Sequence, residues 1–299
     1  MLNFQDEYNP LLHYDKLQEP DMQQNSFPVE GLNVVVTGAG RGIGKRLAIA
    51  FASAGAKVGL VARTAAELDL TDLEIKHGGG ISHKLAADVR DFERLSGVVE
   101  LMRHRHGSIQ VLVCAAGVQG PVGPFLKNNP KAWLETMDTN LIGVVNSCRA
   151  VLPRMIEERS GKIIALAGGG AGKPRPRFSA YATSKAAVVR FVECIAEELL
   201  EHNVQANAMS PGHAYTAMTD EIIQAGEAAG WKELEQAETL QHTGGTKPQK
   251  QIDLAFFLAS QKSNHITGKF LHVDDDWKRL IETSLHPDMF TLRRIKKNS

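Results

Sequence analysis

At 299 residues the chain has room for one large domain or two smaller ones. Hydrophobic residues make up 43% and charged residues 23%, as in an ordinary globular protein, and the formal net charge is zero with a pI near 7.2. That balance gives no electrostatic case for nucleic acid or an anionic membrane, and no apolar run approaches the ~18 residues of a membrane-spanning helix.

Residues 1–30 are polar, with prolines at 10, 20 and 28, and are expected to form an arm ahead of the first strand. They lack the basic start and apolar centre of a signal peptide, so the expected location is the cytoplasm. Phe4, Tyr8, Leu11, Leu12 and Tyr14 are too many apolar groups for a purely solvated tail. The arm is expected to pack on its own subunit or on a neighbour.

From Leu32 onward, short runs rich in Val, Ile, Leu and Ala alternate with helical segments. The runs fall at 32–38, 56–62, 80–88, 109–115, 161–167, 204–210 and 268–273. Nearly continuous apolar character suits parallel strands buried on both faces. Between them, spacings such as Ile43, Leu47, Ala50, Phe51 and Val188, Val192, Ile195, Leu199 mark amphipathic helices. Strand–helix repetition at this interval predicts an α/β fold, a parallel sheet with helices on both faces. No long linker interrupts it, so residues 31–276 are expected to be one domain.

Behind the first strand comes Thr37-Gly38-Ala39-Gly40-Arg41-Gly42-Ile43-Gly44, which also opens the first helix. Glycines allow a tight turn and close backbone approach, and the helix start offers free N–H groups and a positive dipole end to a pyrophosphate. The second strand ends in Ala62-Arg63, without the carboxylate that would bind the ribose 2′-hydroxyl of NAD. Arg63 and Arg41 suit a 2′-phosphate, so NADP(H) is expected, with NAD(H) as the less favoured alternative. Asp88, closing the third strand, can accept from an adenine amino group.

Cys114, Cys148 and Cys194 match no metal-ligand spacing, and neither do the eleven histidines. His104 and His106 are two apart on an expected helix and would diverge. No metal is expected. The stretch 165–192 is the chemical centre of the chain. Tyr181 and Lys185, four apart on a helix, put a phenol and an ammonium on one face. An ammonium beside a phenol lowers its pKa and makes a proton donor and acceptor usable near neutral pH. Gly168, Gly169 and Gly170 leave a roomy pocket, and Lys173, Arg175 and Arg177 follow in a loop suited to an anionic or sugar-like substrate. Residues 217–247 form an irregular helical insertion placed to act as a substrate lid. Residues 277–299 end in the basic LRRIKKNS, expected to be solvated.

These motifs together resemble the short-chain dehydrogenase/reductase family in its compact single-domain branch. The resemblance covers roughly Gly31 to Val273 and rests on TGAGRGIG (37–44), ADV (87–89), the A-A-G of CAAG (114–117), NLIG (140–143), YATSK (181–185), NAMSPGHAYT (207–216) and FLAS with ITGKFLHVD (257–274). It implies a doubly wound Rossmann fold with a seven-stranded sheet, a nicotinamide cofactor and a homodimer or homotetramer. By that resemblance Tyr181 is the proton donor or base, Lys185 lowers its pKa and binds the nicotinamide ribose, and Asn140 holds a water near Lys185. Gly38, Arg41, Gly42, Ile43, Gly44, Arg63, Asp88, Val89, Ala116 and Gly117 would line the dinucleotide. Pro211, Gly212 and Thr216 would wall the nicotinamide.

Departures from the family pattern are equally specific. The family's active-site serine falls at Gly168, thirteen before the tyrosine, and Ser179 is one group that could stand in for it. Cys114 replaces the usual asparagine, and Asp274-Asp275-Asp276 replaces the usual terminal glycine pair. The expected function is an NADP(H)-dependent oxidoreductase acting on a ketone or secondary alcohol. Two alternatives stand beside it: a low-activity or inactive NADP(H)-binding sensor or scaffold, and an epimerase or dehydratase that uses the cofactor transiently.

Overall fold

The computed structural model describes residues 27–281 and 285–293. Strands β1 (Asn33–Thr37), β2 (Lys57–Ala62), β3 (Ile81–Ala86), β4 (Val111–Cys114), β5 (Gly161–Leu166), β6 (Val204–Ser210) and β7 (Phe270–His272) lie inside the seven apolar runs of the sequence. They form one parallel sheet in the order β3-β2-β1-β4-β5-β6-β7. This is the parallel sheet expected from the strand–helix alternation, in the doubly wound, seven-stranded form that the family resemblance implied.

Side-chain alternation along the strands builds a core on each face. Val34 and Val36 of β1 point to one side, where α1 (Gly42–Ser53), α2 (Ala65–His77) and α9 (Pro248–Ala259) contribute Leu47, Phe51, Leu68, Phe256 and Phe257. Val35 points to the other, against α3 (Phe92–His106), α5 (Gly143–Glu157) and α6 (Ser179–Glu198), which supply Met102, Val151, Val188 and Val192. Both faces are covered, which is why the strands carry few polar residues. The order reverses at β1 and β4, so the carboxyl ends of these two strands flank a crevice, the usual ligand position in such sheets.

After β6, the expected insertion folds as α7 (Ala217–Ala225) and α8 (Trp231–Thr243). A single antiparallel bridge between Ala214 and Gly245 closes its base. Among the described residues, no helix is long and apolar enough to cross a membrane.

The expected arm residues Phe4, Tyr8, Leu11, Leu12 and Tyr14 lie outside the described residues. What is described begins in the core: the Phe27 ring meets Phe257 edge-on at 5.5 Å, and Phe257 stacks on Trp277 at 5.2 Å. Trp277 is 3% exposed, so the stretch beyond the last strand begins as part of the core. Residues 285–293 then return to the sheet edge. The outward N–H of Phe270 in β7 donates to the Phe290 carbonyl at 2.7 Å, and that of His272 to Asp275 Oδ2 at 2.7 Å. The Leu292 N–H donates to Glu193 Oε1 on α6 at 2.7 Å.

At the opposite edge, His106 meets a partner that spacing alone did not reveal. Its Nε2 lies 2.5 Å from His83 Nε2 on β3, while Arg105 Nη1 lies 3.1 Å from His83 Nδ1. Arg105 can only donate, so this network assigns the His83 proton to Nε2, from which it donates to His106. Protonating either ring sets two donors face to face. Burial, then the neighbouring cations, hold both imidazoles below their usual value. A histidine whose folded pKa is lowered binds fewer protons folded than unfolded, so stability is lost as pH falls through about 6.5 toward the folded value. Denaturant midpoints are therefore expected to decline between pH 7 and pH 5. The decline should be shallower in His106→Gln, and an unchanged slope would assign it to other groups.

Candidate active site

The glycine turn is shaped by what surrounds it. Gly38 has φ +69°, and a Cβ there would stand 2.7 Å from both the N and Cα of Ala116, so the turn presses on the end of β4. From below, the Thr71 hydroxyl donates to the Ala39 carbonyl at 3.1 Å. At Gly42 (φ +57°) a Cβ would face Thr216 Cγ2 at 3.6 Å, so the turn and the loop after β6 confront each other across the crevice. Arg41 is the N-cap of α1 and makes no side-chain cap, which leaves the first N–H groups of the helix for a ligand. Ile43 packs on the core behind them. A cradle that side chains would fill, together with an uncapped helix start, fits a dinucleotide pyrophosphate.

Around the cradle, Arg63 is exposed at the end of β2, and Val89 is buried against Gly143. The Asp88 carboxylate accepts from the backbone N–H of Arg90 at 2.9 Å and its guanidinium at 2.7 Å, and those bonds hold it below the usual carboxylate range. Glu67 was not singled out in the sequence. Thr64-x-x-Glu67 has the spacing of a capping box, yet Thr64 forms no side-chain cap. The Glu67 carboxylate instead leans on the turn, with Oε1 4.0 Å from Arg41 Nε.

Tyr181 and Lys185 stand on one face of α6 as their spacing requires, but their charges interact differently from the expectation. Lys185 Nζ lies 5.7 Å from the Tyr181 ring centroid and donates to the Leu166 carbonyl at 2.8 Å. Burial brings Lys185 down to about 8. Burial also pushes the Tyr181 phenol up, and the cation that opposes this is Arg175. With Lys185 brought to about 8, its charge fades before the raised phenol titrates, so the depression expected from Lys185 does not oppose the burial of Tyr181.

Asn140 is fully buried in a π-helical turn (Asp138–Ile142) between α4 (Pro130–Met137) and α5. Such turns displace a backbone segment and recur at functional sites. Its Oδ1 accepts from the Val118 N–H at 2.8 Å, and its Nδ2 donates to the Val118 carbonyl and to Ser184 Oγ, both at 3.0 Å. Ser184 in turn donates to the Tyr181 carbonyl at 2.7 Å. Ser184 thus joins Asn140 to the helix of Tyr181, a role its place inside YATSK did not disclose. A Cβ at Gly117 would come within 3.3 Å of Asn140 Oδ1 and 3.6 Å of Lys185 Nζ, so these three residues converge.

Position 168 faces the phenol: a Cβ on Gly168 would stand 3.4 Å from the Tyr181 hydroxyl. Its φ of +134° is one that L side chains rarely adopt, so a serine would need a different backbone there. Ser179 Oγ accepts from Trp133 Nε1 at 3.2 Å, which anchors the oxygen beside α4 and leaves its proton to donate. The basic loop is also engaged within the chain. Arg175 forms a two-pronged pair with Glu233, and Arg177 donates to the carbonyls of Glu227 and Ala228 at 3.2 and 3.1 Å. Two of the three cations expected to meet an anionic substrate therefore bind the insertion. Beside Tyr181 lies an apolar cluster containing Phe178, Ile222, Val122 and Ile223.

On the nicotinamide side, the Pro211 carbonyl accepts from Gln251 Nε2 at 2.9 Å, and Gly212 takes φ +72°. Thr216 caps α7 in a reciprocal box with Thr219. Its hydroxyl oxygen accepts there, and its proton is still available to donate.

Residues 32–227 match the family model described as short chain dehydrogenase. The chain is 34% identical over 255 residues to 2,3-dihydro-2,3-dihydroxybenzoate dehydrogenase of Bacillus subtilis, covering 84% of this chain and 97% of that protein. It is 30% identical over 249 residues to the 3-oxoacyl-[acyl-carrier-protein] reductase FabG of Thermotoga maritima, covering 82% and 97%. Among solved structures, a short-chain type dehydrogenase/reductase from Mycobacterium marinum superposes with a TM-score of 0.73 at 30% identity, over 83% of this chain and 96% of the other.

Proposed function

The chain belongs to the short-chain dehydrogenase/reductase family of oxidoreductases, which act on CH–OH or C=O groups with a nicotinamide cofactor, and from that premise we propose that it is an NADP(H)-dependent enzyme interconverting a ketone and a secondary alcohol. The observation that carries this reading is the convergence of Tyr181, Lys185 and Asn140 at the crevice beside the glycine turn. When bound, the nicotinamide supplies or accepts the hydride. Tyr181 gives the proton to the carbonyl oxygen or takes it from the alcohol. Lys185 would hold the nicotinamide ribose, and Asn140, its amide fixed by Val118 and Ser184, would keep a water near Lys185. Gly38, Gly42, Gly44, Ala116 and Gly117 line the dinucleotide, and Pro211, Gly212 and Thr216 wall its nicotinamide end.

The substrate is a small molecule whose body is apolar beside the reacting carbon, in keeping with the half-buried Val122 and Ile223 near Tyr181 and with guanidiniums already bonded to the insertion. Helices α7 and α8 act as its lid. A homo-oligomer in the cytoplasm completes the reading, on the strength of the family resemblance.

Arg63 and Arg41 support NADP(H). Calorimetric titration is expected to show NADPH binding more tightly than NADH. Arg63→Ala should remove about 10–100-fold of that preference, the loss of one or two charge-assisted hydrogen bonds. Tighter binding of NADH by the unaltered protein would overturn the assignment.

A further inference from the structure

The loop between β5 and α6 meets the helical insertion at an ion pair that the reaction as described leaves unused. Arg175 donates to both carboxylate oxygens of Glu233 on α8, from Nε at 3.0 Å and Nη2 at 2.7 Å. The two side chains are only 17% and 24% exposed. The same guanidinium lies over two rings, with its Cζ 4.0 Å from the Phe178 centroid and 5.5 Å from that of Tyr181. Gly170 lets the loop that carries Arg175 lie against α6, since a Cβ there would stand 2.8 Å from Ala182 Cβ.

Two cations therefore flank Tyr181, and they differ in how long they stay charged. Lys185 is turned to the Leu166 carbonyl and is brought to about 8 by burial, so its charge fades as the solution becomes alkaline. A guanidinium keeps its charge throughout the range in which a protein survives. Glu233 on α8 and His213 on the loop after β6 face Arg175 in turn. Burial and Arg175 hold His213 below the usual imidazole value, so it adds no charge near neutral pH.

Resting on the reading of Tyr181 as the proton donor, we propose that Arg175 is a positioning residue for Tyr181. Its guanidinium supplies the positive field that stabilises the phenolate in a site where position 168 offers no hydroxyl. Glu233 sets how much of that field reaches the ring. A carboxylate gripping the guanidinium cancels most of its effect at a distance, and one drawn away restores it. Because Glu233 rides on the insertion, any movement of α8 when substrate enters changes the proton donor at the same moment.

The pH profile of kcat tests this on the full chain with Arg175→Met, Arg175→Lys, Glu233→Gln and Tyr181→Phe. An opposite charge within ~4–6 Å moves a titration by ~1–3 units, and with Glu233 bound the lower end applies. The inflection assigned to Tyr181 should move up by about one unit in Arg175→Met, return in Arg175→Lys, and move down in Glu233→Gln. A mere tether between loop and insertion would raise KM or lower Tm in all three variants with the inflection fixed, and that result overturns the proposal. If Arg175→Met does not fold, Glu233→Gln decides by itself, and an unmoved inflection is again fatal. Wild-type turnover in Tyr181→Phe would remove the functional reading and this inference together. An inactive Tyr181→Phe with fixed inflections elsewhere would remove the role of Arg175 only.

Discussion

Replacing Tyr181 with phenylalanine is expected to lower kcat on the order of 10³–10⁴-fold while leaving dinucleotide affinity near that of the unaltered chain. General acid–base groups usually contribute ~10²–10⁴, and this site sits at the high end because it has no understudy. Position 168 carries no side chain, and the Ser184 hydroxyl spends its proton on the Tyr181 carbonyl. The phenol also stands half-buried against Phe178 and Ile222, where water is a poor substitute donor. Steady-state consumption of NADPH with a reducible ketone measures the loss, and titration of the same variant measures affinity. A fall of less than about tenfold would place the proton source elsewhere.

Gly44→Ala is expected to abolish dinucleotide binding and to destabilise the fold by about 3 kcal/mol, the upper range for forced overpacking. Gly44 has ordinary helical backbone, so conformational strain is not the cause. Its Cβ would collide with the Gly38 carbonyl oxygen and stand 2.8 Å from the carbonyl carbon and 3.3 Å from Ala115 Cβ. Those are backbone and core atoms with nowhere to go, and Gly38 is itself pressed against Ala116. To relieve the collision the turn must open, and the free N–H groups of α1 then lose their alignment. Gly97→Ala, inside α3, provides the control. Nothing lies within 4 Å of a Cβ at that site, so the change should be neutral or stabilise by up to ~1 kcal/mol through helix propensity. Thermal unfolding and nucleotide titration of the two variants separate them. Equal behaviour would show that the close approach at Gly44 carries no weight.

The seven strands and the glycine cradle were legible because their causes are local. Val34-Val35-Val36 has to be buried on both faces, and a run of glycines before an amphipathic helix has few other uses. Tyr181 and Lys185 were legible as a pair for the same reason, helical spacing. What their charges do was not, since the hydrogen bond of Lys185 to Leu166 reaches back nineteen residues to the end of another strand. The engagement of Arg175 with Glu233 spans fifty-eight residues and depends on how the insertion folds back over the loop. His83 and His106 likewise meet only because α3 packs beside the sheet edge. Glu67 shows a local rule overridden, since its capping-box spacing predicts a helix cap and its carboxylate leans toward Arg41.

The returning segment at 285–293 has a consequence for how these molecules can associate. A terminal strand with bare amides invites a neighbouring chain to stitch itself on, main chain to main chain. Here Phe290 and Asp275 have already taken the two amides that β7 turns outward. The hem of the sheet is sewn shut from within, so copies of this chain that adhere along that side must do so through side chains and shape, not by continuing the fabric of the sheet.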